Sequence, residues 1–573
     1  MRQRKLSQFT FLLVMTAFLS ACDDTIDIYD HRRGDAENYM IAVAHPLAAI
    51  AGRDILAQGG SAVDATIAAE MVLTLVEPQS SGIGGGAFLV HHDASKSEFE
   101  TYDGREMAPA SAHPEMFLKD DGTPMDWPGV ALGGHAVGVP GLIRMLAMAH
   151  AEHGVMAWED LFQPAIKLAE NGFYVTPRLA GLLANDTELR TVPGTREYFY
   201  PNGEPLEEGD LLKNPALAKV LRQVASTGPN AFYAGEIAKG IAQAVSNALV
   251  NPTPMTPGDL AGYVAKKRPP VCATYRMHRV CGMGPPSSGG ILVAQTLGIL
   301  DHFDLSQYEP FSVEAVHLII GASQLAFADR NFYVADSDFI PVPVAALVDP
   351  NYLAERASHI DPDKAMQNVR PGRPGRSAWN WRASPETEKG LSTTHFSVRD
   401  QYGNIASMTA SIERAYGSKH MTQGFLLNNQ LTDFSFKPTH MGHPVANAAA
   451  PQKRPRSTMS PTIVYDADRE PVLAIGSPGG SRIAGYTLKA IIGVLDWDMH
   501  VADAIATPNI VSGGGPVTLE KDSDAEALKP ALEAMGHKVR IRPMTSGLHG
   551  IHFHKDHMTG GADPRREGIV LGD

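Results

Sequence analysis

The chain has 573 residues, 44% hydrophobic and 20% charged, the composition of a globular protein with enough apolar mass for a large core. Length alone suggests about four domains. The net charge of −14, with Lys and Arg scattered rather than clustered, excludes a nucleic-acid-binding surface.

In chain order, the first element is a basic Met1-Arg2-Gln3-Arg4-Lys5 followed by an apolar run from Phe9 to Leu19, which reads as a secretory signal over residues 1–21. The run is too short for a good membrane span. Leu19-Ser20-Ala21-Cys22 resembles a bacterial lipobox, so Cys22 is expected to be the lipidated first residue of the mature chain. The alternative is ordinary signal cleavage with an incidental cysteine. Asp23 after Cys22 resembles the signal that retains some lipoproteins at the inner membrane, and the expected location is periplasmic and membrane-anchored. Residues 22–40 are read as a polar tether.

Residues Ile41 to Ala49 are expected to lead into an Ala-rich helix that stops at Gly59-Gly60, with Ser61 capping a second helix that runs to Leu75. Gly82-Ile83-Gly84-Gly85-Gly86 lacks the Lys and Ser/Thr of a phosphate loop and reads as close packing. Arg105 follows a predicted strand and, taken alone, is a surface arginine paired with Asp103 or Glu106. Helical spacing predicts helices between Pro140 and Gly172, and over Asn214–Ala225, Ala231–Leu249 and Val313–Arg330, with a further helix after the Gly284–Gly290 loop that runs through Leu300.

Cys272 and Cys281 flank a segment whose centre, Arg276-Met277, makes a hairpin that sets the two cysteines opposite one another. Export permits a disulfide there; the alternative is two free thiols. From Arg370 to Thr393 the chain is rich in Pro, Gly, Arg and Ser without periodicity and reads as an exposed linker.

Thr393-Thr394-His395-Phe396-Ser397-Val398 and Ile405 to Ser411 alternate apolar and polar residues on either side of Tyr402-Gly403-Asn404, the pattern of a β-hairpin. Its open end brings Thr393 beside Ser411. Gly424 to Gln430 is read as central sheet. His549, His552, His554 and His557 lack carboxylate partners in a fixed motif, so no metal site is assigned and they are read as a sheet edge.

Taken together, T-T-H-F-S-V, D-x-x-G-N, G-F-L-L-N-N-Q-L-x-D-F-S, R-S-T-M-S-P-T and G-S-P-G-G-S-R closely resemble the small subunit of the gamma-glutamyltransferases (gamma-glutamyl transpeptidases). The early G-G-S-A-V-D-A run and Gly284-Pro285-Pro286-Ser287-Ser288-Gly289-Gly290 extend the likeness to nearly everything from Met40 onward. These are N-terminal-nucleophile hydrolases made as one precursor that cuts itself in two. The resemblance implies an α+β fold, a four-layer αββα sandwich with two antiparallel sheets between helical layers. Residues 41–392 would be a helix-rich large subunit intertwined with a sheet-rich small subunit, 393–573.

The resemblance also implies site roles. Cleavage between Ser392 and Thr393 would make Thr393 the nucleophile, with its own α-amine, of pKa near ~7.7–8.0, as the base. Ser411 matches a threonine that hydrogen-bonds the nucleophile. Gly479 and Gly480 match the oxyanion-hole glycines, Arg105 with Ser457 and Thr458 the α-carboxylate ligands, and Gln430 with Asp433 the α-ammonium ligands. Glu413 departs from the family's usual Asn, which leaves it as an ammonium ligand, a reshaped pocket wall or an internal ion-pair partner. Residues Phe436 to Pro451 correspond to a lid in some members and diverge here. The implied reaction is acyl transfer from glutathione or another gamma-glutamyl amide to water, an amino acid or a peptide, with no cofactor and no metal. A glutaryl-removing cephalosporin acylase of the same family and a lipid-anchored binding protein that never cleaves are the rival readings.

Overall fold

The computed structural model describes residues 31–375 and 392–573. The expected signal, Cys22 and most of the linker before Thr393 lie outside the described residues.

Two seven-stranded sheets are built from β1 (Arg33–Ala36), β2 (Met40–Val43), β3 (Gly86–Asp93), β4 (Glu98–Asp103), β5 (Lys266–Lys267), β6 (Val271–Tyr275), β7 (His278–Gly282), β8 (Thr394–Arg399), β9 (Ile405–Ser411), β10 (Thr462–Tyr465), β11 (Pro471–Gly476), β12 (His549–Phe553), β13 (Met558–Ala562) and β14 (Ile569–Gly572). The first sheet runs β14-β2-β8-β9-β3-β4-β5 and the second β1-β13-β12-β11-β10-β7-β6, antiparallel throughout. Each sheet takes strands from both sides of Thr393, so neither segment can complete a sheet alone.

Strand periodicity explains the layering. In β2, Met40 and Ala42 pack into the core between the sheets, while Ile41 and Val43 face the opposite way. There they meet α1 (Pro46–Ala57), α2 (Ala62–Val76) and α3 (Leu142–His153). The outer face of the second sheet, with Val280, Val464, Leu473 and Ile475, is covered by α4 (Gly289–Leu300), α5 (Val313–Tyr333) and α6 (Ile483–Trp497). The result is the four-layer αββα arrangement. Ser61 caps α2 as the sequence suggests, and Asp64 completes the capping box.

Four local expectations are corrected. Arg33–Ala36, read as tether, is the edge strand β1 because its backbone pairs with β13. The helix expected over Ala231–Leu249 breaks at Ala234, which is extended, and resumes at Gly235, whose φ of 68° needs a glycine. Gly424–Gln430 is not central sheet: Phe425–Leu426 pairs only with Met421–Thr422, and a 3-10 turn begins at Gln430. Asn428 explains the departure, since its amide bonds the Gly84 and Gly138 carbonyls and accepts from the Gly138 and Gln430 N–H groups, fastening loops rather than extending a strand. His549 is no edge residue either, because β12 lies inside the second sheet between β11 and β13. Cys272 and Cys281 are register partners across the β6–β7 hairpin and are disulfide-bonded.

Candidate active site

The hairpin β8–β9 fixes the first pair of groups. Thr394 pairs with Ala410, so Thr393 stands opposite Ser411 at the open end, and the Thr393 Oγ1 to Ser411 Oγ distance is 3.0 Å. The Thr393 hydroxyl also donates to the Ser392 carbonyl oxygen, and the Ser411 hydroxyl lies 3.5 Å from that same oxygen. Ser392 Oγ donates to the Gln79 carbonyl at 2.5 Å, and Arg566 donates to the Thr393 carbonyl at 2.9 Å. Arg566 is fully buried, which pulls its pKa down to about 10. These bonds hold the Ser392–Thr393 segment from three distant parts of the chain.

On the other side of β9, Ser411 pairs with Gly86 of β3. A Cβ at Gly85 would stand 2.3 Å from the Ser411 carbonyl oxygen, and one at Gly84 would stand 2.0 Å from that of Leu426. The glycine run is therefore a packing device that lets three backbones meet beside the hydroxyl pair.

A small cavity opens here, lined by Thr393, Ser411, Arg105, Glu413, Gln430, Asp433, Ser457, Thr458 and Gly480 among others. Arg105 is 1% exposed, and its Nη2 donates to Asp433 Oδ2 at 2.6 Å while the guanidinium also bonds the carbonyls of Pro455 and Arg456. No side-chain pairing with Asp103 forms: Asp103 Oδ1 accepts from the Arg105 backbone N–H at 2.8 Å and its Oδ2 from Arg268 Nε at 2.9 Å. Glu106 is only 3.7 Å from Arg105 Nη1, but burial raises its pKa to about 8, with Arg105 opposing, so it is neutral below that pH. Gln430 Nε2 donates to the same Asp433 oxygen at 2.9 Å, fixing the carboxylate's orientation.

Glu413 lies in the cavity wall, accepts from Asn429 Nδ2 and has φ of 78°, a strained region for its residue type. The Ser457 hydroxyl accepts from the Met459 N–H, and the Thr458 hydroxyl accepts from Arg330 Nη2 at 3.0 Å. Gly480 (φ 58°) lines the cavity; Gly479 (φ 131°) sits behind it, where a Cβ would strike the Tyr486 ring at 2.6 Å.

The sequence reading assigned no role to three arginines around this site. Arg330 bonds Ser288 and Thr458, Arg456 reaches the Arg330 and Val334 carbonyls, and Arg566 holds Thr393. Arg456 carried a signal as the first residue of the R-S-T-M-S-P-T motif, and Arg330 as the last of Ala328-Asp329-Arg330 on α5, which resembles the family's Y-A-D-R helix end.

Residues 48–572 match the family model described as Gamma-glutamyltranspeptidase. The chain belongs to the gamma-glutamyltranspeptidase family. It is 36% identical over 543 residues to the glutathione hydrolase proenzyme of Bacillus subtilis (strain 168), covering 93% of this chain and 91% of that one. It is 34% identical over 544 residues to the acylase ACY 1 proenzyme of Pseudomonas sp. (strain SE83), covering 93% of each. Among solved structures, the cephalosporin acylase from Bacillus halodurans superimposes with a TM-score of 0.83 at 27% identity, over 94% of this chain and 97% of that one. The family fold is thus established, and with it an enzyme of either the glutathione hydrolase or the acylase kind.

Proposed function

We propose that this gamma-glutamyltranspeptidase relative is a self-cleaving gamma-glutamyl hydrolase and transpeptidase acting on glutathione and related amides. The observation that carries the reading is the Arg105–Asp433 pair beside Thr393 in one cavity. A fixed cation next to a fixed anion matches an α-amino acid head group, which offers a carboxylate to one and an ammonium to the other. A glutaryl group has no ammonium and would leave Asp433 without a substrate partner.

Self-cleavage follows from the contact between Thr393 Oγ1 and the Ser392 carbonyl. The hydroxyl oxygen attacks the Ser392 carbonyl carbon, the peptide C–N bond breaks, and an ester links Ser392 to the Thr393 side chain. Water hydrolyses that ester and leaves Ser392 as a carboxylate and Thr393 with a free α-amine. The amine then takes the hydroxyl proton as Thr393 attacks the γ-carbonyl of the substrate, while Ser411 positions the oxygen. The Gly479–Gly480 turn, stripped of side chains, supplies backbone N–H donors to the developing oxyanion; one such donor is worth about 3 kcal/mol. Water or an amino-acid or peptide amine resolves the acyl-enzyme. Arg105 with Ser457 and Thr458 holds the α-carboxylate, and Asp433 with Gln430 the α-ammonium. Nucleophile, base and oxyanion donors are all protein groups, so the reaction calls for no cofactor. The two fragments stay together as a heterodimer because both sheets need both, and export with lipidation at Cys22 places it at the periplasmic face of a membrane.

The second reading, a glutaryl acylase, is favoured by Glu413, which stands where the family usually has Asn among the ammonium ligands, and by the close superposition on a cephalosporin acylase. Assaying processed protein on gamma-glutamyl and glutaryl anilides side by side separates the two. Preference for the gamma-glutamyl compound is expected; preference for the glutaryl compound would replace the first reading by the second. Edman sequencing is expected to return Thr-Thr-His-Phe, and its absence would refute both.

A further inference from the structure

We infer that His91, Glu100 and His153 form a zinc-class divalent-metal site on the helix-covered flank of the first sheet, away from the Thr393 cavity. His91 on β3 and Glu100 on β4 are direct register partners and so project to the same face. His153 is the last residue of α3, which packs on that face. The His91 and His153 rings stack with centroids 4.0 Å apart, and His153 Nε2 lies 2.6 Å from Glu100 Oε2. One ligand atom from each of the three falls within 4.8 Å of the others.

A second, independent observation points to a ligand. His91 is 1% exposed, and neither of its ring nitrogens has a hydrogen-bond partner. A buried polar side chain left wholly unsatisfied in a native fold calls for a water or an ion.

The surroundings resemble the outer shell of such a site. Lys267 holds Glu100 through its Oε1 at 2.6 Å, leaving Oε2 turned toward the histidines. Asp93 Oδ2 stands 3.9 Å from His153 Nδ1, a carboxylate near the group but beyond direct hydrogen-bond reach. The Tyr102 hydroxyl, 2.8 Å from His153 Nε2, is a further oxygen within reach. Two imidazoles and one carboxylate suit zinc rather than magnesium or calcium, and three protein ligands leave a fourth position for water. Glu100 is partly exposed at the rim, which gives an ion a way in.

The site is distinct from the catalytic cavity. Gly86 is the register partner of Ser411, and His91 lies five residues further along β3, which places it about 17 Å away. The ion would pin the corner where β3, β4 and α3 meet and would take no part in acyl transfer.

The test uses the full chain, stripped with EDTA and titrated with zinc chloride by calorimetry, then with cobalt(II) followed by visible absorption. Expected are one zinc per chain, a rise in unfolding midpoint of about 2 °C or more, and the absorption bands of low-coordinate cobalt. His91→Phe and His153→Gln should each weaken binding by about 100-fold, whereas His554→Gln, in the C-terminal histidine group, should leave it unchanged. His153→Gln lies at the rim and keeps the test valid should His91→Phe misfold. No uptake at high micromolar zinc, uptake that survives His153→Gln, or uptake abolished by His554→Gln would each overturn the assignment.

Discussion

Arg105 and Asp433, 328 residues apart in sequence, meet at 2.6 Å in the wall of the Thr393 cavity, the arginine buried and the carboxylate partly open to the cavity. In the free protein each neutralises the other. A substrate that carries both charges can replace the pair interaction with two of its own, so binding swaps ion pairs without stranding a charge.

Asp433→Asn is expected to lower kcat/KM for a gamma-glutamyl anilide by about 100-fold, the loss of one charge-assisted bond to the ammonium. The loss should appear mainly in KM. Activity on a glutaryl anilide should fall far less, because that substrate offers nothing to Asp433. Equal losses on the two anilides would remove the ammonium role.

Thr393→Ala should leave one uncut chain on denaturing electrophoresis. Ser411→Ala should still cut, but more slowly, and its kcat should drop by about tenfold for the loss of one neutral hydrogen bond at 3.0 Å, with KM little changed. An uncut Ser411→Ala protein would make this hydroxyl essential for self-cleavage.

Glu413→Asn should stabilise the fold and change specificity together. A non-glycine residue at φ 78° is strained, and asparagine tolerates that region better, which is worth about 1 kcal/mol. Restoring the family's usual asparagine should also raise the preference for substrates bearing an ammonium. Thermal unfolding and the paired anilide assay measure the two effects separately.

Glu70 on α2 supplies a pH test. It is fully buried, and burial first, then the like charge of Glu77, raises its pKa from 4.5 to about 8. Because the folded value exceeds the unfolded one, the folded state binds the extra proton between those pH values. The stabilisation is complete below pH 4.5 and is lost as pH rises toward 8. Glu70→Gln, neutral at every pH, should match the parent near pH 5 and exceed it by roughly 2–4 kcal/mol at pH 8. Denaturant midpoints at the two pH values, in the uncut Thr393→Ala background, would show it; a pH-independent difference would count against a raised Glu70.

Some of this was legible in the chain because it is local. The alternation around Tyr402-Gly403-Asn404 specified the β8–β9 hairpin and with it the meeting of Thr393 and Ser411. The same reasoning paired Cys272 with Cys281 across Arg276-Met277, both residues taking the positive φ that such a turn requires. Ser61 announced α2. Gly424–Gln430 was misread because an apolar run has the same appearance in a central strand and in a loop whose Asn428 is consumed by two distant carbonyls.

What the chain determined by itself is most of its helices and the β8–β9 hairpin that brings Thr393 to Ser411, since φ/ψ preferences and hydrophobic period act over a few residues. Tertiary structure alone decided that Arg566 would grip the Thr393 carbonyl from 173 residues away, that Asp433 rather than Asp103 would take Arg105, and that His153 would close on His91 and Glu100. Those contacts arise only when two sheets bury both faces at once. Which charged groups then lie side by side is set by strand order and helix docking, and no short window of sequence records either.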